Sequence, residues 1–367
     1  MKVAQRLVAL DVFRGMTILL MIVVNTPGTW NHVFAPLRHS AWHGCTPTDL
    51  VFPFFMFIVG VAMWFSFRKY GHSLNSAAFL KILKRTALIF LIGLFLNAYP
   101  RFDFAHLRIM GVLQRIALAY GFAAIAILLL KPTGRWILAF VILIGYWVLM
   151  WALGGSDPYS LEGNFASKVD LAIFGADHVY KGFGIPFDPE GLLSTLPAIV
   201  SVIFGYMTGG MIGTTDNKKD VTYKLLLWGA FSVVIALVWN IFFPINKPLW
   251  TSSYVLYTVG LGMISLSILI WIIDIKGWKK WAHPFLVYGM NPLILFVLSG
   301  LWVKTLFIIQ IPVDGETLNG YAWLYQKVFV PIGGPGNFGS FLFAFFHGVL
   351  FWLVGYIMYR KKIFVKI

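Results

Sequence analysis

Apolar stretches of about twenty residues, parted by short polar breaks, recur from one end of the chain to the other. A run of that length matches the ~30 Å hydrocarbon core of a bilayer at 1.5 Å of rise per helical residue. Ten segments are predicted, with cores at Leu7–Asn25, Leu50–Phe67, Arg85–Asn97, Met110–Leu130, Trp136–Leu153, Leu192–Ile212, Leu225–Phe243, Ser253–Ile273, Pro284–Val303 and Phe341–Tyr359. The third is short unless it reaches back through Phe79–Lys84. The pattern predicts an all-α integral membrane protein, a polytopic bundle of about ten transmembrane helices. Residues 1–367 would form a single transmembrane domain with larger loops at 154–191 and 304–340. Met1–Arg6 runs into the first core without a cleavage-site pattern, as a retained first span would.

Composition strengthens this reading. Apolar residues make up 59% of the 367 and charged ones 12%, too few charges for the surface of a soluble globule. The net charge of +15 does not indicate nucleic acid, because the basic residues are spread between apolar segments. Their distribution instead sets an orientation. Nineteen Lys/Arg fall at the N-terminus and in every second loop, and eight in the opposite loops; Arg14 and Arg115 lie within spans. Both termini are therefore expected in the cytoplasm, with the two large loops outside. The single cysteine, Cys45, excludes an intramolecular disulfide and a cysteine-rich metal site, and no metal is expected.

Polar residues within spans are costly, ~2.5–3.5 kcal/mol for a charge near the bilayer centre, and so are candidates for function. Asp11 and Arg14 lie three apart on one helical face and suit an ion pair. Gln114 and Arg115 open the fourth span. Arg115 could hold an anion there or extend toward the interface. His347 in the last span suits a satisfied structural histidine.

The densest polar cluster lies between the first two spans. Asn25 closes the first. Arg38-His39-Ser40-Ala41-Trp42-His43-Gly44 follows, and Thr46-Pro47-Thr48-Asp49 opens the second. Thr46 or Thr48 can cap that helix, and Asp49 suits its N-terminal dipole. A histidine near neutral pKa, a carboxylate to fix its tautomer and an amide to donate to an oxyanion would also make an acyl-transfer set.

At these residues the chain resembles the heparan-α-glucosaminide N-acetyltransferase family, including its bacterial members. The likeness begins at Leu10-Asp11-Val12-Phe13-Arg14-Gly15 and Asn25, and runs from Arg38 through Asp49-Leu50-Val51-Phe52-Pro53. It recurs at Arg108–Arg115, Gly175–Tyr180, Phe187–Gly191, Asn246–Tyr254, Gly289-Met290-Asn291 and the tail Tyr359–Ile367. His43 departs from an asparagine common in the motif, and the 154–191 loop is shorter.

The resemblance implies a transmembrane N-acetyltransferase that takes acetyl-CoA from the cytosol and acetylates a glucosamine-type amine on the far side. The natural setting would be a bacterial inner membrane, with a homodimer in the lipid bilayer. The family's active histidine falls on His39, its asparagine on Asn25 and its aspartate on Asp49. His39 would be general base or acetyl carrier, Asp49 its partner, and Asn25 an oxyanion donor. Arg14, Lys84, Arg85, Arg115, Arg360, Lys361 and Lys362 are candidates for the CoA anion. Asp177, His178, Asp188 and Glu190 are candidates for the sugar. An O-acyltransferase of envelope glycan or lipid, or a secondary transporter of amino sugars, are the alternatives. The transporter would be expected to show repeat symmetry and spans broken by Gly or Pro.

Overall fold

The computed structural model describes residues 7–313 and 315–365. Met1–Arg6, Asp314 in the second large loop, and Lys366–Ile367 of the tail motif lie outside the described residues. The protein is an all-α polytopic membrane protein. Its helices are α1 (Val8–Asn25), α2 (Val51–Phe67), α3 (Ser76–Ala98), α4 (Val112–Leu129), α5 (Pro132–Leu153), α6 (Phe165–Phe174), α7 (Thr195–Thr214), α8 (Lys218–Trp239) and α9 (Ser252–Leu269). They continue with α10 (His283–Met290), α11 (Pro292–Ile308), α12 (Gly320–Leu324), α13 (Val330–Gly333) and α14 (Asn337–Arg360).

By length and composition, eight helical stretches among the described residues could cross a membrane, or nine if the broken pair α10–α11 is one span. The ten predicted spans are matched only if α3, whose three cations keep it out of that group, also crosses. The third predicted segment is α3, which reaches back to Ser76 and carries Lys81, Lys84 and Arg85. The ninth predicted segment, Pro284–Val303, is not one straight span: its two halves bend by 74° at Asn291. Pro292 explains the break, since a proline disfavours helical geometry in the residue before it and donates no backbone hydrogen bond.

α2 packs along α7, α8 along α9, α1 against α10 and α3 against α4. Close approach needs small residues. A Cβ on Gly15 would fall 1.7 Å from the Phe285 carbonyl oxygen, and one on Gly60 2.1 Å from that of Val202. In lipid, where apolar surface gains little from pairing, such close packing is a main source of helix association.

The described ends of the chain lie on one face of the bundle, called here the terminal face. The opposite loop face carries α6 and a short hairpin, β1 (Gln310–Val313) against β2 (Glu316–Asn319), with Val313 opposite Glu316. The 154–191 loop is a packed cover: Trp42 sits edge-on to Phe183 and Phe187 at 5.9 and 5.5 Å, and its indole N–H donates to the Tyr159 carbonyl at 2.8 Å.

Candidate active site

On the loop face, the segment entering α2 builds a pocket for one carboxylate. Pro47–Leu50 forms a single tight helical turn, with Asp49 1% exposed. Asp49 Oδ2 accepts from the Ser40 amide at 3.0 Å and the Thr46 amide at 3.1 Å. The Thr46 hydroxyl is 3.0 Å from it and 2.7 Å from the Arg38 carbonyl, so its one proton serves either. The capping role and the functional role of Asp49 are thus the same structure: the cap fixes Oδ2 and leaves Oδ1 for His39.

His39 Nδ1 lies 2.6 Å from Asp49 Oδ1. A carboxylate accepts only, so Nδ1 carries the proton, and in the neutral ring Nε2 then holds the lone pair. The His39 side chain is 42% exposed while Asp49 is 1%, so the histidine meets an incoming molecule and the carboxylate does not. Lys247 completes the group, its Nζ 3.4 Å from Asp49 Oδ1 and 3.2 Å from His39 Nδ1. With the Nδ1 proton pointed at Asp49, the ammonium's acceptor is the carboxylate. Burial pulls Lys247 below the usual amine range, opposed by Asp49 and Glu190. Burial, with Asp49 nearby, pushes the Cys45 thiol up to about 12. Tyr254 pins the turn by donating to the Asp49 carbonyl at 2.5 Å.

Lys247 was not among the candidates read from sequence. It lies 208 positions from His39, within the Asn246–Tyr254 motif. Its signal in the sequence was that it is one of only eight Lys/Arg in the sparsely basic set of loops. Asn25 closes α1 and is exposed; among the described residues it has no side-chain hydrogen bond to His39 or Asp49. His43 stands apart, its Nδ1 3.3 Å from the Asn246 amide nitrogen, with burial lowering its pKa against the pull of Asp157.

The four acceptor candidates each have a local partner. Asp188 takes both Nε and Nη2 of Arg108, at 2.9 and 2.7 Å, and Glu190 takes Nη2 at 2.6 Å. Burial opposes the Arg108 charge, but these two carboxylates hold it above its ordinary value. Asp177 pairs with Lys181, and His178 Nδ1 lies 2.8 Å from the Leu107 carbonyl. Of the four, Glu190 is the one whose charge also acts on Lys247.

Arg115 is sealed inside. It reaches the Gly191 carbonyl at 3.2 Å and the Ser194 hydroxyl, with Trp250 5.0 Å beneath its guanidinium. Asp170 holds the other side of the same segment, Oδ1 accepting from the Leu192 amide at 2.8 Å. Burial, against those amides, raises Asp170 to about 7. A buried acid with a raised folded-state pKa contributes stability that is present below its unfolded value and lost as pH climbs through the folded one. Thermal stability in detergent should therefore fall between about pH 4 and pH 7, and Asp170→Asn should flatten that slope. A slope unchanged in the variant would assign it to other groups.

On the terminal face a cavity of about 580 Å³ is lined by Asp11, Arg14, Lys81, Arg85, Gly289, Met290, Phe364 and Val365, among others. It shares Arg14, Arg85, Ile89, Pro292 and Leu293 with a second cavity of about 260 Å³. That one runs inward between Met21, Phe55, Val112 and Tyr120. Met21 is four residues from Asn25, about 6 Å along the helix. Phe55 is six residues past Asp49, about 9 Å by the same rise. Arg14 is anchored by Asp11 at 3.2 Å and the Gly289 carbonyl at 3.2 Å. Arg85 lies over the Tyr120 ring at 4.6 Å, and its buried Nε has no hydrogen-bond partner among the described residues. Of the seven donor candidates, Arg14 and Arg85 line these cavities. Lys84, Arg360, Lys361 and Lys362 are exposed outside them, and Arg115 is at the far end. Lys81, unassigned by sequence, is in the wall. Among the described residues no three His, Cys, Asp or Glu side chains are grouped to hold a metal.

Fold and site together define a multi-pass helical membrane protein with a buried-carboxylate histidine at one face and a basic-mouthed cavity entering from the other. Residues 6–171 match the family model described as the catalytic part of heparan-alpha-glucosaminide N-acetyltransferase. Over 99% of its length the chain is 28% identical to the human heparan-alpha-glucosaminide N-acetyltransferase and 27% identical to that of Mus musculus. It spans 60% and 61% of those two relatives. Over nearly its whole length, then, the chain is similar to heparan-alpha-glucosaminide N-acetyltransferases.

Proposed function

We propose that the protein transfers an acetyl group across the membrane, from acetyl-CoA bound at the terminal face to the amine of a glucosamine-type sugar at the loop face. The observation that carries this is the pair of cavities. They lead from Arg14, Lys81 and Arg85 to within about two helical turns of Asn25 and Asp49. Three cations at the mouth suit the phosphates of CoA, and the apolar inner stretch suits its slender thioester arm. The unpartnered Nε of Arg85 is a donor awaiting an acceptor.

At the loop face, His39 Nε2 takes the proton that the amine sheds on attacking the thioester carbonyl, or carries the acetyl group in a first step. Asp49 holds the ring and stabilises its positive charge. Lys247 keeps Asp49 ionised by pairing with it. Asn25, one turn beyond the cavity, supplies an oxyanion donor once donor and acceptor are in place. Trp42 and Phe183, both half-buried and backed by the buried Phe187, offer an aromatic wall for a sugar at the loop that carries His39. The terminal face is cytoplasmic on the charge bias, the membrane is a bacterial inner membrane, and the assembly is a homodimer, the last two on family resemblance.

Purified protein given labelled acetyl-CoA and glucosamine should yield labelled N-acetylglucosamine and free CoA by mass spectrometry. Neither product, with intact acetyl-CoA, would sink the reading. The orientation has its own test. A reporter placed after Lys366 should remain cytoplasmic, and one within 154–191 should be exported; both on one side would refute the ten-span arrangement, which puts five crossings between them.

A further inference from the structure

The chain does not simply end after α14. Lys362 adopts a left-handed backbone (φ 53°) and the Ile363 amide donates back to the Met358 carbonyl at 2.9 Å, so the chain reverses in a built turn. The next residues are held by one side chain. The Asn291 amide nitrogen donates to the Ile363 carbonyl at 2.9 Å, and the Val365 amide donates to Asn291 Oδ1 at 2.9 Å. Asn291 is 1% exposed and stands at the 74° break between α10 and α11. An asparagine paired in this way imitates a neighbouring strand: it fixes the backbone of residues 363–365 and leaves their side chains free to line something. Phe364 and Val365, 40% and 44% exposed, line the 580 Å³ cavity together with Arg14, Lys81 and Arg85.

We propose that Ile363–Val365, strapped down by Asn291, is the apolar wall of the nucleotide end of the donor site, and that it makes the protein select acyl donors that carry a nucleotide. This rests on the acetyl-CoA reading above and deepens it. A mouth with three cations and two apolar side chains suits a ligand that combines phosphates with a flat, poorly hydrated base. A small thioester without the nucleotide would reach the inner cavity without touching the strap. Asn291 is a positioning residue here, acting through the tail.

The test compares two donors, acetyl-CoA and the acetyl thioester of N-acetylcysteamine, in three variants. These are Asn291→Ala, deletion of residues 363–367, and the two combined. Acetyl-CoA KM and CoA Kd should rise tenfold or more in each single variant, kcat/KM for the small thioester should hold within twofold, and the combined variant should be no worse than either alone. The deletion leaves the α10–α11 break intact, so it keeps the test valid if Asn291→Ala fails to fold. Unchanged acetyl-CoA KM in the deletion variant would overturn the proposal, as would an equal loss for both donors. If wild-type protein neither binds CoA nor uses acetyl-CoA, the acetyl-CoA reading falls and the strap with it. If wild type binds CoA and Arg85→Ala weakens it while the deletion does not, the strap alone falls.

Discussion

His39→Ala is expected to remove nearly all acetyl transfer, by about 10²–10⁴-fold or more in kcat, while CoA still binds with close to wild-type affinity. The separation follows from the geometry. The cations that face the cavity mouth lie in the first half of α1 and in α3, whereas His39 lies beyond the opposite end of α1. His43→Ala is the control within the same loop: its ring contacts Trp42 and Asn246 and makes no hydrogen bond to Asp49. Equal loss of CoA affinity and turnover in His39→Ala would mean a folding defect. Wild-type turnover in His39→Ala with loss in His43→Ala would move the site to the other histidine.

Asp49→Asn should have the second largest effect, smaller than that of His39→Ala. The amide keeps the shape of the turn but loses the charge that orients the ring and stabilises the imidazolium. It also strands Lys247, whose side chain is 19% exposed and whose carboxylate partner is Asp49. Removing one member of a buried ion pair costs more than removing both. The double variant Asp49→Asn/Lys247→Met should accordingly melt higher than Asp49→Asn alone, with turnover still low. Measured as a double-mutant cycle on thermal stability, the coupling should be clearly non-additive; additive losses would mean that the 3.4 Å pair contributes nothing.

Asp49 and His39 were legible because both lie in one short polar word between two apolar runs, where local spacing already limits their separation. Lys247 was not, since nothing in local spacing joins positions 208 apart. At the terminal face, helical geometry sorts the basic residues. Lys81 and Arg85, four apart, share the cavity face of α3, while Lys84, turned about 100° from Arg85, does not line it. Counting charge per loop could not make that distinction, and so Lys84 stood in place of Lys81. Asp188 and Glu190 looked available because an acidic loop residue reads the same whether solvated or paired; Arg108, 80 positions before Asp188, is the partner that tertiary packing supplies. Apolar periodicity located the spans but not the bend at Asn291, whose role depends on a tail some seventy residues later.

The most direct test of transfer across the membrane uses sealed vesicles with the terminal face outward and glucosamine enclosed. Labelled acetyl-CoA, which does not cross lipid, is added outside. The account predicts labelled N-acetylglucosamine inside the vesicles, free CoA outside, and neither product with His39→Ala. Labelled sugar formed only when glucosamine and acetyl-CoA share the same side would contradict it.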